Sequence, residues 1–381
     1  MQKKSKSAAD YALSTQLIHG GNKLIEGAII PPIFQSANFV QGKVEHYTDI
    51  KYSRLSNTPQ HLQLHEKLAL LDRAEAALTF ASGMAAVATT FLGLLSAGDH
   101  VLIQNPCYGG TTALVSDLER LGIETTFIDA GDATSYAKSA KANTKMIYVE
   151  SISNPLLMVA DLKGALKFAK THGLISVIDN TFLSPAGFLP IPMGFDVVVH
   201  SATKFMNGHS DITVGVVACS EALLKPIHVL ASHLGGSLDP HAAFLLDRGL
   251  KTLSLRYKAQ CENAQGLAEF LNAHPKVERV LFPGLPHHPG HAAAKELFNG
   301  FGAVLSFESS VKDLLKRLKL PKNAASLGSV ESLIVKPSES THIAIDKNLR
   351  RASGISDNLT RVAVGIEDLE DLIADFKQAL N

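Results

Sequence analysis

Between residues 60 and 245 the chain alternates two hydrophobic periodicities, and that alternation restricts the fold more than any other feature. Short β-branched or apolar runs occur at Ala77–Ala81, His100–Gln104, Thr125–Ile128, Met146–Val149, Leu174–Ile178, Val197–His200 and Gly215–Cys219. Between them lie Leu62–Leu71, Met84–Leu95, Thr112–Leu121 and Leu162–His172, in which apolar residues recur every three or four positions. Strands that are apolar almost throughout are buried on both faces. The pattern therefore predicts an α/β unit, a mostly parallel central sheet with helices on each side.

The length of 381 residues suits about two domains on a prior of roughly 100 to 200 residues each. Residues 1–58 contain Pro31 and Pro32, several glycines and no long periodic segment, so they read as an extended N-terminal arm. Residues 59–245 form the α/β domain. Residues 246–381 form a smaller α+β domain, with strands expected at Val277–Phe282 and Ala303–Phe307 and a closing helix at Leu369–Leu380. The stretch His241–Leu271 is helix-like throughout and bridges the two.

Charge excludes several classes of partner. Lys plus Arg and Asp plus Glu each number 36, so no global field favours nucleic acid or an anionic membrane. Lys3, Lys4 and Lys6 precede no apolar stretch of signal-peptide type, and Ala85–Ala97 is too short and too interrupted to span a bilayer. Three cysteines, Cys107, Cys219 and Cys261, give neither a paired framework nor a CxxC spacing, which points to a reducing cytoplasm. His287, His288 and His291 lack accompanying carboxylate or cysteine spacing, so no metal is assigned and a solvated loop is expected.

Three places could carry chemistry. Ser82-Gly83-Met84 follows a strand and opens a helix, where free backbone N–H groups suit an anion, although a glycine there also serves as a plain turn. Asp179 ends the apolar run LISVID, at the edge where open α/β sheets bind ligands; a turn or cap role is the alternative. Ser201, Thr203 and Lys204 follow the strand Val197–His200, putting two hydroxyls suited to phosphate and one amine suited to a Schiff base in one loop. An acid beside a pyridine nitrogen keeps such a ring an electron sink. No GxGxxG follows the early strands, which sets aside a nicotinamide-dependent oxidoreductase.

The segment VVVHSATKFMNGHSDITVG, together with YSRLSNTP, FASGMAA, NPCYGGT, ESISNPLL, VIDNTF, LGGSLDPHAAFLLDRGLKTLSLR, SLGSVESL and ISDNLTRVAVGIEDLEDLI, resembles the pyridoxal 5'-phosphate (PLP) enzymes of cysteine and methionine metabolism. The likeness runs over nearly the whole chain and in the family's order. It implies the fold type I, aspartate aminotransferase-like architecture and a carbon–sulfur lyase of the cystathionine β-lyase, γ-lyase or γ-synthase type. Residue by residue, it implies that Lys204 carries the cofactor covalently, Asp179 meets the pyridine nitrogen and Tyr108 stacks on the ring. Gly83, Met84, Ser201 and Thr203 would hold the phosphate, with Tyr52 and Arg54 reaching the phosphate of a neighbouring subunit. Asn154 would lie near the ring hydroxyl, Arg361 would clamp the substrate carboxylate and Ser326 would assist it.

The resemblance thus implies a sulfur amino acid as substrate and a cytoplasmic homotetramer built from dimers that share active sites. Three departures stand out. Asn57-Thr58-Pro59 replaces the usual NPT after YSR, Ala325 stands where γ-lyases and γ-synthases typically have glutamate, and Ser329 replaces a common glycine. The GSV run around Ser329 also occurs in plant-type β-lyases, so cystathionine cleavage to homocysteine, pyruvate and ammonia is the expected reaction. A γ-elimination or replacement, including homoserine-ester sulfhydrylation, is the nearest alternative, and a noncatalytic PLP-binding protein a distant one.

Overall fold

A computed structural model describes residues 7–343 and 347–381. The larger sheet comprises β1 (Ala76–Phe80), β2 (His100–Gln104), β3 (Glu124–Ile128), β4 (Thr144–Glu150), β5 (Ile175–Asp179), β6 (Val197–Ser201) and β7 (Gly215–Cys219). Its strand order is β1-β7-β6-β5-β4-β2-β3. The five strands β6, β5, β4, β2 and β3 pair in parallel. Each expected strand is present, within two residues at either end.

Along the central strands successive side chains enter two different apolar layers. Met146, Tyr148, Val177, Val197 and Val199 pack into one, while Ile147, Val149, Ile178 and Val198 pack into the other. All of these are at most 1% exposed. Full burial of a side chain such as Ile147 contributes roughly 1.5–3 kcal/mol relative to leaving it in water. Burial on both faces is why these strands read as unbroken apolar runs rather than alternating ones.

Strand β7 departs from a purely parallel sheet, since it runs antiparallel to both β6 and β1. A parallel return requires a crossover helix. The link 202–214 contains none, so the chain doubles back as a loop at the C-terminal end of β6. That loop carries Lys204.

The predicted bridge from His241 to Leu271 is two helices, Pro240–Leu250 and Leu253–Ala273. At the break, the Arg256 guanidinium donates to the carbonyls of Gly249, Phe205 and Met206, at 2.8, 2.8 and 3.3 Å. It thereby ties the bridge to the Lys204 loop. The helix Glu221–Leu234 lies outside the sequence reading, and it contains Pro226, a residue that ordinarily signals a helix boundary.

A smaller sheet follows, formed by β8 (Val277–Leu281), β9 (Val304–Ser309), β10 (Lys322–Asn323), β11 (Leu333–Val335) and β12 (Leu359–Ala363), in the order β10-β11-β12-β9-β8. The helix Leu369–Leu380 closes the unit as expected, burying Leu372, Phe376 and Leu380. The N-terminal segment is not wholly extended. It includes the helix Leu13–His19, whose Leu17 is fully buried, before residues 21–46, which contain no helix or strand beyond isolated bridges. Nor is the 287–291 loop fully solvated, because His288 is buried and its Nδ1 accepts the Gly290 N–H.

Candidate active site

The parallel strands β2, β4, β5 and β6 all end at one edge of the sheet, so Gln104, Glu150, Asp179 and Ser201 converge there. This is where open α/β sheets place their ligands. A cavity of about 380 Å³ lies at this edge, roofed by residues 325–327, Thr341 and Arg361 from the smaller unit. Gly83, Met84, Tyr108, Asn154, Asp179, Ser201, Thr203, Lys204, Ser326 and Arg361 all line it.

At one end the helix Gly83–Leu94 points its start into the cavity. Ser82 caps it, its Oγ accepting the Ala85 N–H at 3.1 Å, while the Ser82 carbonyl takes the Ala86 N–H. The N–H groups of Gly83 and Met84 have no acceptor among the described residues and remain available to an anion. Only glycine fits at position 83, since a Cβ there would lie 2.7 Å from Ser201 Cβ. Thr203 Oγ1 accepts the Val214 N–H at 2.8 Å, so this hydroxyl helps fix the loop as well as facing the cavity.

Asp179 occupies the floor. Its Oδ1 accepts the Thr181 N–H at 2.9 Å and its Oδ2 accepts the Tyr148 hydroxyl at 3.2 Å. Burial raises its pKa, while the bonds from Thr181, the charge of His200 and the Tyr148 hydroxyl work in the opposite direction. His200 stands behind it with Nε2 3.0 Å from Asp72 Oδ1, both side chains being buried. Burial opposes charge on His200, but Asp72 and Asp179 outweigh it and raise the pKa.

Lys204 extends into the cavity and donates from Nζ to Ser326 Oγ at 2.8 Å. Burial, and then the positive charge of Arg361, lower its pKa to about 8, so the amine gives up its proton readily for a lysine. Arg361 is held from two sides: it donates to Asn154 Oδ1 and to the Ser326 carbonyl, both at 2.9 Å. Its buried Nε has no partner among the described residues, which leaves a donor for a carboxylate. Ser326 serves both cations at once with φ of +103°, a backbone state a non-glycine residue adopts at a cost of order 1–3 kcal/mol.

These groups fit PLP by the chemistry of the donor set. Open helix-start N–H groups suit a phosphate, a buried carboxylate suits a ring nitrogen, and a readily deprotonated amine suits an aldehyde. Tyr108 is 41% exposed at the mouth, where an aromatic ring can cover another.

Tyr52 and Arg54 lie off this wall: Arg54 donates to the Ser232 carbonyl at 2.5 Å and to the Tyr47 hydroxyl at 2.8 Å. The altered turn beside them is well held. Asn57 donates to the carbonyls of Thr48 and Ile50, and Thr58 caps the helix Pro59–Asp72. Ala325 is on the cavity wall, whereas Ser329 is not; the Ser329 carbonyl accepts from Gln260.

Sequence reasoning missed Glu150, Thr181, Phe182 and Thr341, all on the wall. Glu150 stands within the ESISNPLL segment, one residue beyond the expected end of its strand, and that position was its one visible signal.

The sequence pattern of the Cys/Met metabolism PLP-dependent enzymes matches residues 14–381. Cystathionine beta-lyase MetC of Bacillus subtilis is 44% identical, with 98% of this chain and 97% of that protein covered. Cystathionine gamma-lyase of the same organism is 43% identical, with 96% and 98% covered. The crystal structure of cystathionine gamma-lyase from Lactobacillus plantarum complexed with L-serine superposes with a TM-score of 0.93 at 38% identity, covering 97% of this chain and 98% of that one.

Proposed function

Because the chain belongs to the Cys/Met metabolism PLP-dependent enzymes and is a PLP-dependent carbon–sulfur lyase, we propose that it cleaves cystathionine on the β side, yielding homocysteine, pyruvate and ammonia. The observation that carries the reading is the meeting of Lys204 and Arg361 over Ser326 inside one cavity. A carboxylate bound by Arg361 through Nε, which has no partner among the described residues, would bring the substrate's α-carbon towards Lys204, which meets the same Ser326.

In this reading Lys204 does the proton work. With its pKa lowered to about 8 it is poised between proton acceptor and donor near neutral pH. It takes the α-proton, and the Ser326 hydroxyl orients it. Bound PLP supplies an electron sink, which Asp179 supports by keeping the ring nitrogen protonated. Asn154 holds Arg361 at the correct angle, and Tyr108 covers the ring and sheds water from the mouth.

The β position is favoured by Ala325 on the cavity wall, because a distal ammonium gains no carboxylate partner there. The two Bacillus relatives, a β-lyase and a γ-lyase at nearly equal identity, do not separate the outcomes. Incubation of the holoenzyme with cystathionine decides: homocysteine with pyruvate is expected, and cysteine with 2-oxobutyrate rejects β cleavage. Tyr52 and Arg54 belong, in this proposal, to a site shared with a neighbouring subunit in a cytoplasmic homotetramer. No helix among the described residues is long and apolar enough to cross a membrane.

A further inference from the structure

Glu150 is a buried carboxyl for which the reaction above has no use. It ends β4 directly opposite Asp179 on the neighbouring parallel strand, lines the same cavity and is 4% exposed. Two acids side by side in a dry site repel: burial and the Asp179 charge raise the Glu150 pKa, opposed by the backbone N–H groups of Tyr108 and Asn154. Replacing such a group by an apolar one is often neutral or favourable for stability alone. The arrangement calls for a role beyond packing.

Its contacts supply one. Glu150 Oε1 accepts the Tyr108 N–H at 2.6 Å, and the Glu150 N–H donates to Gln104 Oε1 at 2.8 Å. Gln104 Nε2 in turn donates to the Pro106 carbonyl at 3.2 Å. Pro106 and Tyr108 are therefore each bonded to a side chain from the adjacent strand ends of β2 and β4.

On its other side the Tyr108 carbonyl accepts the Thr112 N–H at 3.0 Å, the first bond of the following helix. The Tyr108 ring is partly exposed, its side chain makes no cap for the helix Gly109–Arg120, and two glycines follow it. Both glycines make close approaches, Gly110 to side chains and Gly109 to backbone. A Cβ at Gly110 would lie 2.6 Å from Tyr108 Cε1, and one at Gly109 would lie 2.6 Å from the Thr341 carbonyl oxygen. The chain thus enters a helix immediately after Tyr108, and on the preceding side the Tyr108 N–H is held by Glu150.

We infer that Glu150 is a positioning residue of the lyase reaction, whose side-chain oxygen fixes the backbone of Tyr108 so that the tyrosine ring lies over the cofactor. The inference rests on the proposed ring-covering role of Tyr108. It acts through an acceptor oxygen, so glutamine can replace the carboxyl and methionine, of similar length, cannot.

The test compares Glu150→Gln, Glu150→Met and Tyr108→Ala. In the cofactor-free chain, hydrogen–deuterium exchange of the peptide spanning residues 105–112 should remain slow in the glutamine variant and accelerate at least roughly ten-fold in the methionine variant. In the holoenzyme, kcat on cystathionine should stay within about three-fold for glutamine and fall roughly 10- to 100-fold for methionine. Unchanged exchange and kcat in a folded Glu150→Met protein overturns the inference. So does a glutamine variant as impaired as the methionine one, since the acidic proton would then matter.

If Tyr108→Ala leaves kcat and cofactor absorbance intact while Glu150→Met still frees the peptide, it is the role given to Tyr108 that fails. Should Glu150→Met not fold, the wild-type chain still decides. A Tyr108 amide that exchanges far faster than those of β4 refutes the anchor.

Discussion

Replacing Lys204 by methionine should stabilise the cofactor-free chain at neutral pH while abolishing turnover. The amine lies in the cavity with its pKa lowered from 10.5 to about 8, chiefly by burial and then by Arg361. At about 1.36 kcal/mol per pH unit, that corresponds to a penalty on the order of 3 kcal/mol for holding the charge in the fold. Loss of the bond from Nζ to Ser326 Oγ offsets about 1 kcal/mol, so the net gain is about 2 kcal/mol at pH near 7. The sign can be checked against pH. Between about 8 and 10.5 the unfolded chain binds the Lys204 proton and the folded chain does not, so wild-type stability rises with pH across that window. The methionine variant lacks this rise, and the gap between the two should close above it. Urea unfolding of the two cofactor-free proteins at pH near 7 and near 10 measures both quantities. A variant less stable than wild type at neutral pH, or a gap that does not shrink with pH, refutes the reasoning.

Asp72→Asn should cost about 3 kcal/mol in denaturant unfolding, because it leaves a buried histidine without its counter-ion. The folded pKa of His200 is raised above 6.5, so its contribution is complete below that value and fades as pH rises through the folded pKa; the cost of Asp72→Asn should shrink in the same direction. Arg256→Leu strips three backbone carbonyls of their donor and should lower stability by about 3 kcal/mol, with faster hydrogen exchange in residues 205–208. Mixing Arg54→Ala and Lys204→Ala chains, each impaired alone, should restore part of the activity if sites are shared between subunits. Absence of any recovery argues that each chain is self-sufficient.

What the sequence made legible follows from where each signal resides. Strands such as Val197–Ser201 are buried on both faces, and that leaves a local mark, an unbroken run of valines. The helix Leu162–His172 carries its own start and stop, with Asp161 accepting the Gly164 N–H and Gly173 in the left-handed conformation. By contrast β10 and β11 span only two and three residues, too few for any period to register. The antiparallel turn of β7 depends on the missing crossover helix in 202–214, a property of the connection rather than of the strand.

Site residues divide in the same way. Asp179 ends one strand and Lys204 follows another by three residues, and the sequence delimits both strands well. Ser326 gives no such hint, because its value comes from a positive φ and from contacts with Lys204 and Arg361, which are remote in sequence. Glu150 is informative only once the register places it against Asp179 and beneath Tyr108. Alignments between strands are set by the whole sheet, and no window of neighbouring residues contains them.

The most direct test of the whole account is to treat the purified holoenzyme with borohydride, which locks the cofactor onto the nitrogen that holds it, and to map the labelled peptide by mass spectrometry. A phosphopyridoxyl group on Lys204 is the predicted result. Label on any other lysine, or none on a protein that retains activity, contradicts it.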